Sequence, residues 1–269
     1  DTTAAESATY RYRVFVRSNA GITTGRNLGI QAAQGEFIFI LDSDATLNPD
    51  TLDSVVTKFR VDPAVGIISC KILHVSTGAL DEQTWIFTEC CKARQDEPFF
   101  CFSFCECGAA FRREVFEQAG LFWDFLFFGR EGEDLSIRAW DAGFKVLYWP
   151  QATVTHHVSL KRRVAGGERE YYDFRNALYI YLVRYPWWIL VWLGPLRTGF
   201  TLLKAARRRW IGDALRALRD VVRHLPYLMQ QRQPISSRCA RHYLHLLREH
   251  GALGWDIMSW LRQKTERAA

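Results

Sequence analysis

The chain lacks the patterns of a disulfide scaffold, a zinc ribbon and a membrane-spanning protein. Its 7 cysteines are an odd number, and Cys90-Cys91, Cys101, Cys105 and Cys107 crowd together unlike a secreted disulfide framework. No two are spaced Cys-x-x-Cys, so the zinc-ribbon signature is missing; buried, reduced thiols in a cytosolic protein are the expectation. The most apolar run, Pro186 to Leu196, has 11 residues, whereas a bilayer span needs about 20. No signal-peptide pattern opens the sequence. It starts at Asp1 rather than Met, so an N-terminal piece is expected to be missing. No recognition-helix, zinc-finger or RNA-binding signature accompanies the arginines, and nucleic acid is not an expected partner. At 48% hydrophobic and 24% charged, the composition also excludes general disorder and low complexity.

What is present is a chain of 269 residues, 14% of them aromatic, enough for one large domain or a domain with an appendage. The net charge of +6 is unevenly spread. Residues 197–269 carry 15 Lys and Arg against 5 Asp and Glu, while the preceding part is mildly acidic. A basic tail points to an anionic partner. Tyr171-Tyr172, Phe174, Tyr179, Tyr181, Tyr185, Trp187, Trp188 and Trp192 precede Arg207-Arg208-Arg209. Trp and Tyr beside Arg is the composition of a membrane interface, although the same aromatics could pack a helical appendage onto the rest. The expected setting is cytoplasmic, peripheral on the inner face of the cell membrane, against its anionic surface.

Periodicity gives the order of elements. Residues 11–18 alternate like a strand. Thr23 or Thr24 can cap a helix that Gly35 stops near Gln34. Glu36 to Leu41 is a buried strand of parallel type, and Asn48-Pro49 opens a helix to about Arg60. Val65 to Leu73 is a further buried strand. Gln83 to Ala110 reads as β-rich, and Arg112 to Ala119 as a short helix. Leu121–Gly132 is a long aromatic loop of the kind that usually has a function. Glu133 to Ala142 is helical, Phe144 to Trp149 a strand ended by Pro150, and Thr153 to Val158 extended. A basic loop at 160–168 leads into amphipathic helices. The fold class is therefore α/β, with a Rossmann-like, mostly parallel sheet and a C-terminal amphipathic helical region. The division is an α/β domain over 1–165 and a basic, aromatic-rich helical membrane-interface region over 166–269.

Three short motifs bear on chemistry. Asp42-Ser43-Asp44 ends a buried strand, where open α/β sheets bind ligands. Two carboxylates on such a turn can share a divalent cation and its phosphates, though Asp and Ser also favour turns as such. Glu133-Asp134 opens a helix, where acids complement the dipole or can serve as a general base facing a cleft. His156-His157 follows a strand, and one imidazole there could ligate a metal.

In chain order these motifs resemble the family 2 glycosyltransferases of GT-A fold, in particular rhamnosyltransferase-like members, over about residues 17–185. The carriers are Gly21-Ile22-Thr23-Thr24-Gly25-Arg26-Asn27-Leu28-Gly29-Ile30, Leu41-Asp42-Ser43-Asp44, Cys107-Gly108-Ala109-Ala110-Phe111-Arg112-Arg113, Glu133-Asp134-Leu135-Ser136-Ile137-Arg138, and Pro150-x-Ala152-x-Val154-x-His156. The resemblance implies an inverting transfer of a hexose from a nucleotide-sugar donor to a lipid-linked or cell-envelope glycan acceptor, with Mg²⁺ or Mn²⁺. It implies Asp44 and His156 as metal ligands and Asp42 near the ribose. Asp134 becomes the catalytic base, with Glu133 shaping the acceptor side. Arg26, Asn27 and Arg175 become donor-binding residues. Two departures accompany it. The strands that hold the nucleotide base are not recognisable before Arg11, so a non-catalytic, membrane-associated binding protein of the same fold is the alternative. Ala206-Arg207-Arg208-Arg209-Trp210 has Ala where processive members carry Gln, so processive polymer synthesis is not expected.

Overall fold

The computed structural model describes residues 2–6, 11–15, 21–157 and 168–250. Strands β1 (Thr2–Glu6) and β2 (Arg11–Phe15) pair antiparallel as a separate two-stranded sheet. Helix α1 (Ile22–Ala32), β3 (Phe37–Leu41), β4 (Ala45–Leu47), α2 (Thr51–Val61) and β5 (Val65–His74) follow. Next come α3 (Glu89–Lys92), β6 (Phe99–Phe100), β7 (Gly108–Arg112), α4 (Arg113–Ala119), α5 (Glu131–Asp141) and β8 (Lys145–His156). Four helices complete the described chain: α6 (Glu168–Arg184), α7 (Trp187–Arg207), α8 (Ile211–Gln230) and α9 (Ser237–Glu249).

The main sheet has the order β3-β7-β5-β8-β4, with β6 also on β8. It is mixed, not mostly parallel. The expected buried strands β3, β5 and β8 do run the same way, and β5 and β8 pair in parallel. β7 is inserted between β3 and β5 and runs against both, while β4 and β6 run against β8. No periodicity distinguishes an inserted antiparallel strand from a parallel one when both faces are covered.

Side chains on these strands alternate between two cores, as pleating requires. Ala109 and Phe111 join the cluster under α4, α5 and α6, whereas Ala110, Ile68, Leu147 and Val154 pack against Val55 and Phe59 of α2. Pro150 does not end its strand. β8 passes through it with a register shift, Trp149 facing Cys70 and Thr153 facing Lys71. A bulge tolerates a residue that cannot donate to the ladder. The stretch 83–110 is mostly turns, with only β6 and the start of β7 extended. Cys91, Cys101, Cys105 and Cys107 within it are nonetheless buried, and no disulfide joins them.

The helical region is part of the same core. Tyr171, Phe174, Tyr179, Tyr181 and Tyr185 are all buried, in the cluster that also holds Leu135, Ile137 and Val146. Tyr243 of α9 donates its hydroxyl to the Phe102 carbonyl at 2.7 Å. The tyrosines are therefore packing residues, contrary to their expected place at a membrane interface. The tryptophans of α7 differ, with Trp187 56% and Trp192 43% exposed. The expected domain boundary and basic loop fall almost wholly outside the described residues.

Gly66, at the start of β5, lies under α4 and Phe144. A Cβ there would come within 2.7 Å of Val115 Cγ2 and of Phe144 Cβ. Gly66→Ala is expected to destabilise the fold by about 1–3 kcal/mol through overpacking, measurable as a lower urea midpoint with unchanged slope.

Candidate active site

Strand pairing assembles the site. Leu41 pairs with Gly108, and Asp42 N–H donates to the Cys107 carbonyl at 3.2 Å. The Asp42 turn and the segment Cys105–Cys107 are thus held side by side. Ala45 pairs with His156, and His157 N–H donates to the Asp44 carbonyl at 2.7 Å. Asp44 Oδ2 lies 3.6 Å from His156 Nε2. After β5 the chain folds back, Asp81 N–H donating to the Ile72 carbonyl at 2.9 Å. Asp81 Oδ2 consequently sits 2.6 Å from His156 Nδ1.

The Asp81–His156–Asp44 chain fits a metal site. A carboxylate on one ring nitrogen fixes the imidazole and raises its basicity at the other. A carboxylate plus an imidazole suits a divalent cation whose shell is completed by phosphate oxygens and water. Among the described residues no group of three or more His, Cys, Asp and Glu could hold a metal alone, so phosphate oxygens would have to supply part of the shell. Asp81 carries no signal in the sequence.

A cleft of about 470 Å³ opens beside this edge, lined by Asp42, Glu106, Glu131, Glu133, Arg26 and Arg130 among others. Arg26 bridges two acids, its Nη2 3.1 Å from Asp42 Oδ1 and its Nη1 3.0 Å from Glu131 Oε1. Arg130 does the same, with Glu133 at 2.5 Å and Asp173 bidentate at 2.8 and 3.0 Å. Arg130 also begins α5 from the left-handed region, at φ 64°. Phe127 also has a positive φ, 63°, which is uncommon for residues other than glycine. The aromatic loop carrying both is held by Asn176, whose amide donates to the Phe128 and Gly129 carbonyls at 2.8 and 2.7 Å.

Of the expected site residues, Asp42, Arg26 and Glu133 line the cleft, while Asp44 and His156 meet beside it. Three others are committed elsewhere. Asn27 donates to the Phe122 carbonyl and to Asp124, and accepts from Phe122 N–H, which satisfies its amide as a packing residue rather than a donor ligand. Arg175 stacks on Tyr171, Tyr172 and Tyr179 and donates to the Leu126 carbonyl and to Asn176; it braces the aromatic loop from α6 and does not line the cleft. Asp134 is the largest correction. It is fully buried, with Oδ1 2.8 Å from Arg184 Nε and Oδ2 2.7 Å from Arg138 Nη2. Burial alone would raise its pKa, but the two guanidiniums outweigh it and hold the carboxyl below its ordinary value. A carboxylate fixed in this way neither reaches the cleft nor accepts a proton readily.

Residues 1–120 match Glycosyl transferase family 2. Solved structures that resemble the chain include GalNAc-T7 with UDP, GalNAc and Mn²⁺ (19% identity, TM-score 0.48, covering 62% of this chain and 35% of that one). The mannosyltransferase PcManGT from Pyrobaculum calidifontis with GDP-Man and Mn²⁺ also resembles it (19% identity, TM-score 0.43, 87% and 60%). So does TarS from S. aureus (18% identity, TM-score 0.39, 61% and 28%). The chain thus spans between 28% and 60% of these structures' lengths. No curated protein matches the chain.

Asp134→Asn should strand Arg138 and Arg184 without a counter-charge and cost about 3–5 kcal/mol. Because the folded carboxyl titrates below its ordinary 3.8, its contribution is present above that pH and lost as the pH falls through the folded value. Urea denaturation of parent and variant should show a gap at neutral pH that narrows in acid.

Proposed function

We propose that the protein is an inverting, metal-dependent glycosyltransferase that moves a hexose from a nucleotide-sugar donor to a lipid-linked or cell-envelope acceptor. The observation that carries this reading is the convergence of the Asp42 turn, Asp44 and His156 on one sheet edge, beside a cleft walled by the acidic start of α5. Mg²⁺ or Mn²⁺ at Asp44 and His156 would supply Lewis-acid neutralisation of the leaving diphosphate. Asp81 orients His156 for that task, and Arg26 sets the position of Asp42 toward the donor. The loop around Arg130, pinned by Asn176, closes the far side and limits access of water to the anomeric carbon. A carboxylate of the cleft takes the acceptor proton in a single displacement, which inverts the anomeric centre.

Support for a lipid-linked acceptor comes from α6 and α7. A second cavity of about 340 Å³ shares Arg130 and Asp173 with the cleft and adds Arg197, Lys204, Phe174 and Phe200. Cations beside apolar rings suit a phosphate at the head of an apolar chain. Trp187, Trp188, Val191, Trp192 and Leu196 form an exposed stripe on α7, a composition that favours the interface of a membrane. Among the described residues no helix is long and apolar enough to cross one.

Calorimetry with Mn²⁺ and UDP, GDP or dTDP tests the donor site. Asp44→Ala and His156→Ala should each abolish metal-dependent binding, and Asp81→Asn should weaken it about 10- to 100-fold. Unchanged binding in Asp44→Ala would reject the metal assignment. For the membrane, exchanging Trp187, Trp188 and Trp192 together for Ser should reduce co-sedimentation with anionic vesicles, and salt should weaken what remains. Truncation after Tyr185 is the wrong test, because it would open the core that α8 and α9 cover.

A further inference from the structure

Five carboxylates line the cleft, and arginines hold four of them. Arg26 pairs with Asp42 and Glu131, and Arg130 with Glu133 and Asp173. The fifth is Glu106, on the turn before β7. Among the described residues no Lys, Arg or His nitrogen lies within ion-pair distance of it, although the Arg26 charge acts on it across the cleft, and it accepts from Gly132 N–H at 2.7 Å. That donor is the second residue of α5, so the carboxylate rests against a helix N-terminus. The approach depends on glycine, since a Cβ at residue 132 would collide with Glu106 Oε1. Burial, and then repulsion from Glu131, push the Glu106 carboxyl up to about 7, with Arg26 opposing them.

We infer that Glu106 is the general base of the transfer, a role that rests on the glycosyltransferase reading above. A base must be able to accept a proton, face the substrate and hold a fixed position. Glu106 meets all three requirements, whereas Asp134 faces two arginines and Glu133 is ion-paired to Arg130. In the step, a Glu106 carboxylate oxygen takes the proton of the acceptor hydroxyl as that oxygen bonds to the anomeric carbon. The bond from the anomeric carbon to the phosphate oxygen breaks, and its electron pair leaves with the nucleoside diphosphate. The charges that act on Glu106 most are Glu131 on α5 and Arg26 on α1; Asp42 after β3, Glu133 on α5, and Arg130, Arg169 and Asp173 line the same cleft. The thiols of Cys105 and Cys107 flank it and stay protonated, their pKa values raised by burial.

The experiment uses the 269-residue chain with Mn²⁺ and a panel of UDP-, GDP- and dTDP-sugars, dTDP-rhamnose among them. Release of nucleoside diphosphate to water is the readout. Glu106→Gln should lower the rate by about 10²- to 10⁴-fold, leave binding of the nucleoside diphosphate with Mn²⁺ unchanged, and remove a rise of the parent's kcat/KM through about pH 7. A raised carboxyl pKa means that ionised Glu106 costs stability above the unfolded value. Glu106→Gln should therefore melt higher than the parent at about pH 8, with the gap closing toward about pH 5. A residue that merely supported α5 would give a lower melting point. Glu106→Ala combined with Gly132→Asp returns a carboxylate to the same place from α5, and should regain part of the rate lost by Glu106→Ala alone. If the parent turns the donor over and Glu106→Gln does so equally well, Glu106 is not the base. A lower melting point together with no rescue by Gly132→Asp also overturns the assignment. If the parent neither binds nucleoside diphosphate nor releases it, the glycosyltransferase reading fails and the base falls with it.

Discussion

Asp134 accepts from Arg138 within its own helix and from Arg184 at the end of α6, and this double ion pair ties the sheet domain to the helices that follow. Arg138 extends the connection by donating to the Ala119, Gly120 and Leu121 carbonyls, where the aromatic loop begins. Three segments are thereby held around one buried charge. Breaking such a pair is costly because the remaining charges stay buried. The start of α5, the anchor of the aromatic loop and the position of α6 therefore depend on one another. The cleft lies where they meet.

Charge balance within the cleft follows a simple rule. Arg26 and Arg130 each hold two carboxylates, and in both cases one partner comes from α5 and the other from a different segment. The arginines thus act as cross-links between walls, and the acids they neutralise are positioned rather than reactive. Such an arrangement lets the cleft carry many acids without an excess of unbalanced negative charge. The sheet edge proposed for the metal has a different logic, because His156 faces Asp44 with its outer nitrogen while its inner one is held by Asp81. The two halves of the site are built independently, one by strand register and one by arginine bridges.

Much of the fold was legible in the sequence. The buried runs at Glu36–Leu41 and Val65–Leu73, the helices ending before Asp62 and Gly120, and the acid-rich start of α5 all followed from periodicity and stop signals. The inserted β7 was not legible, since Gly108–Arg112 is apolar on both faces whichever way it runs. Asp44 and His156, expected to share a metal, do lie close together, but Asp81 arrives through a turn that no pattern announces. Asn27, Arg175 and Asp134 were misplaced for a common reason. Sequence shows that a polar residue stands near a motif but not whether its hydrogen bonds are already spent on the backbone. Glu106 did leave a trace, as a lone acid in the otherwise apolar and sulfur-rich run Phe99–Phe111.

The contact between Gly132 and Glu106 has a meaning for the evolution of the site. The space beside the first turn of α5 admits one side chain, delivered either by the helix or by the turn before β7. Related chains should therefore covary at these two positions, a small residue at one accompanying an acid at the other. A lineage could move its carboxylate from one segment to the other through an intermediate lacking both. Motif comparison along α5 alone would then record a lost acid, although the acid had only changed its place of attachment.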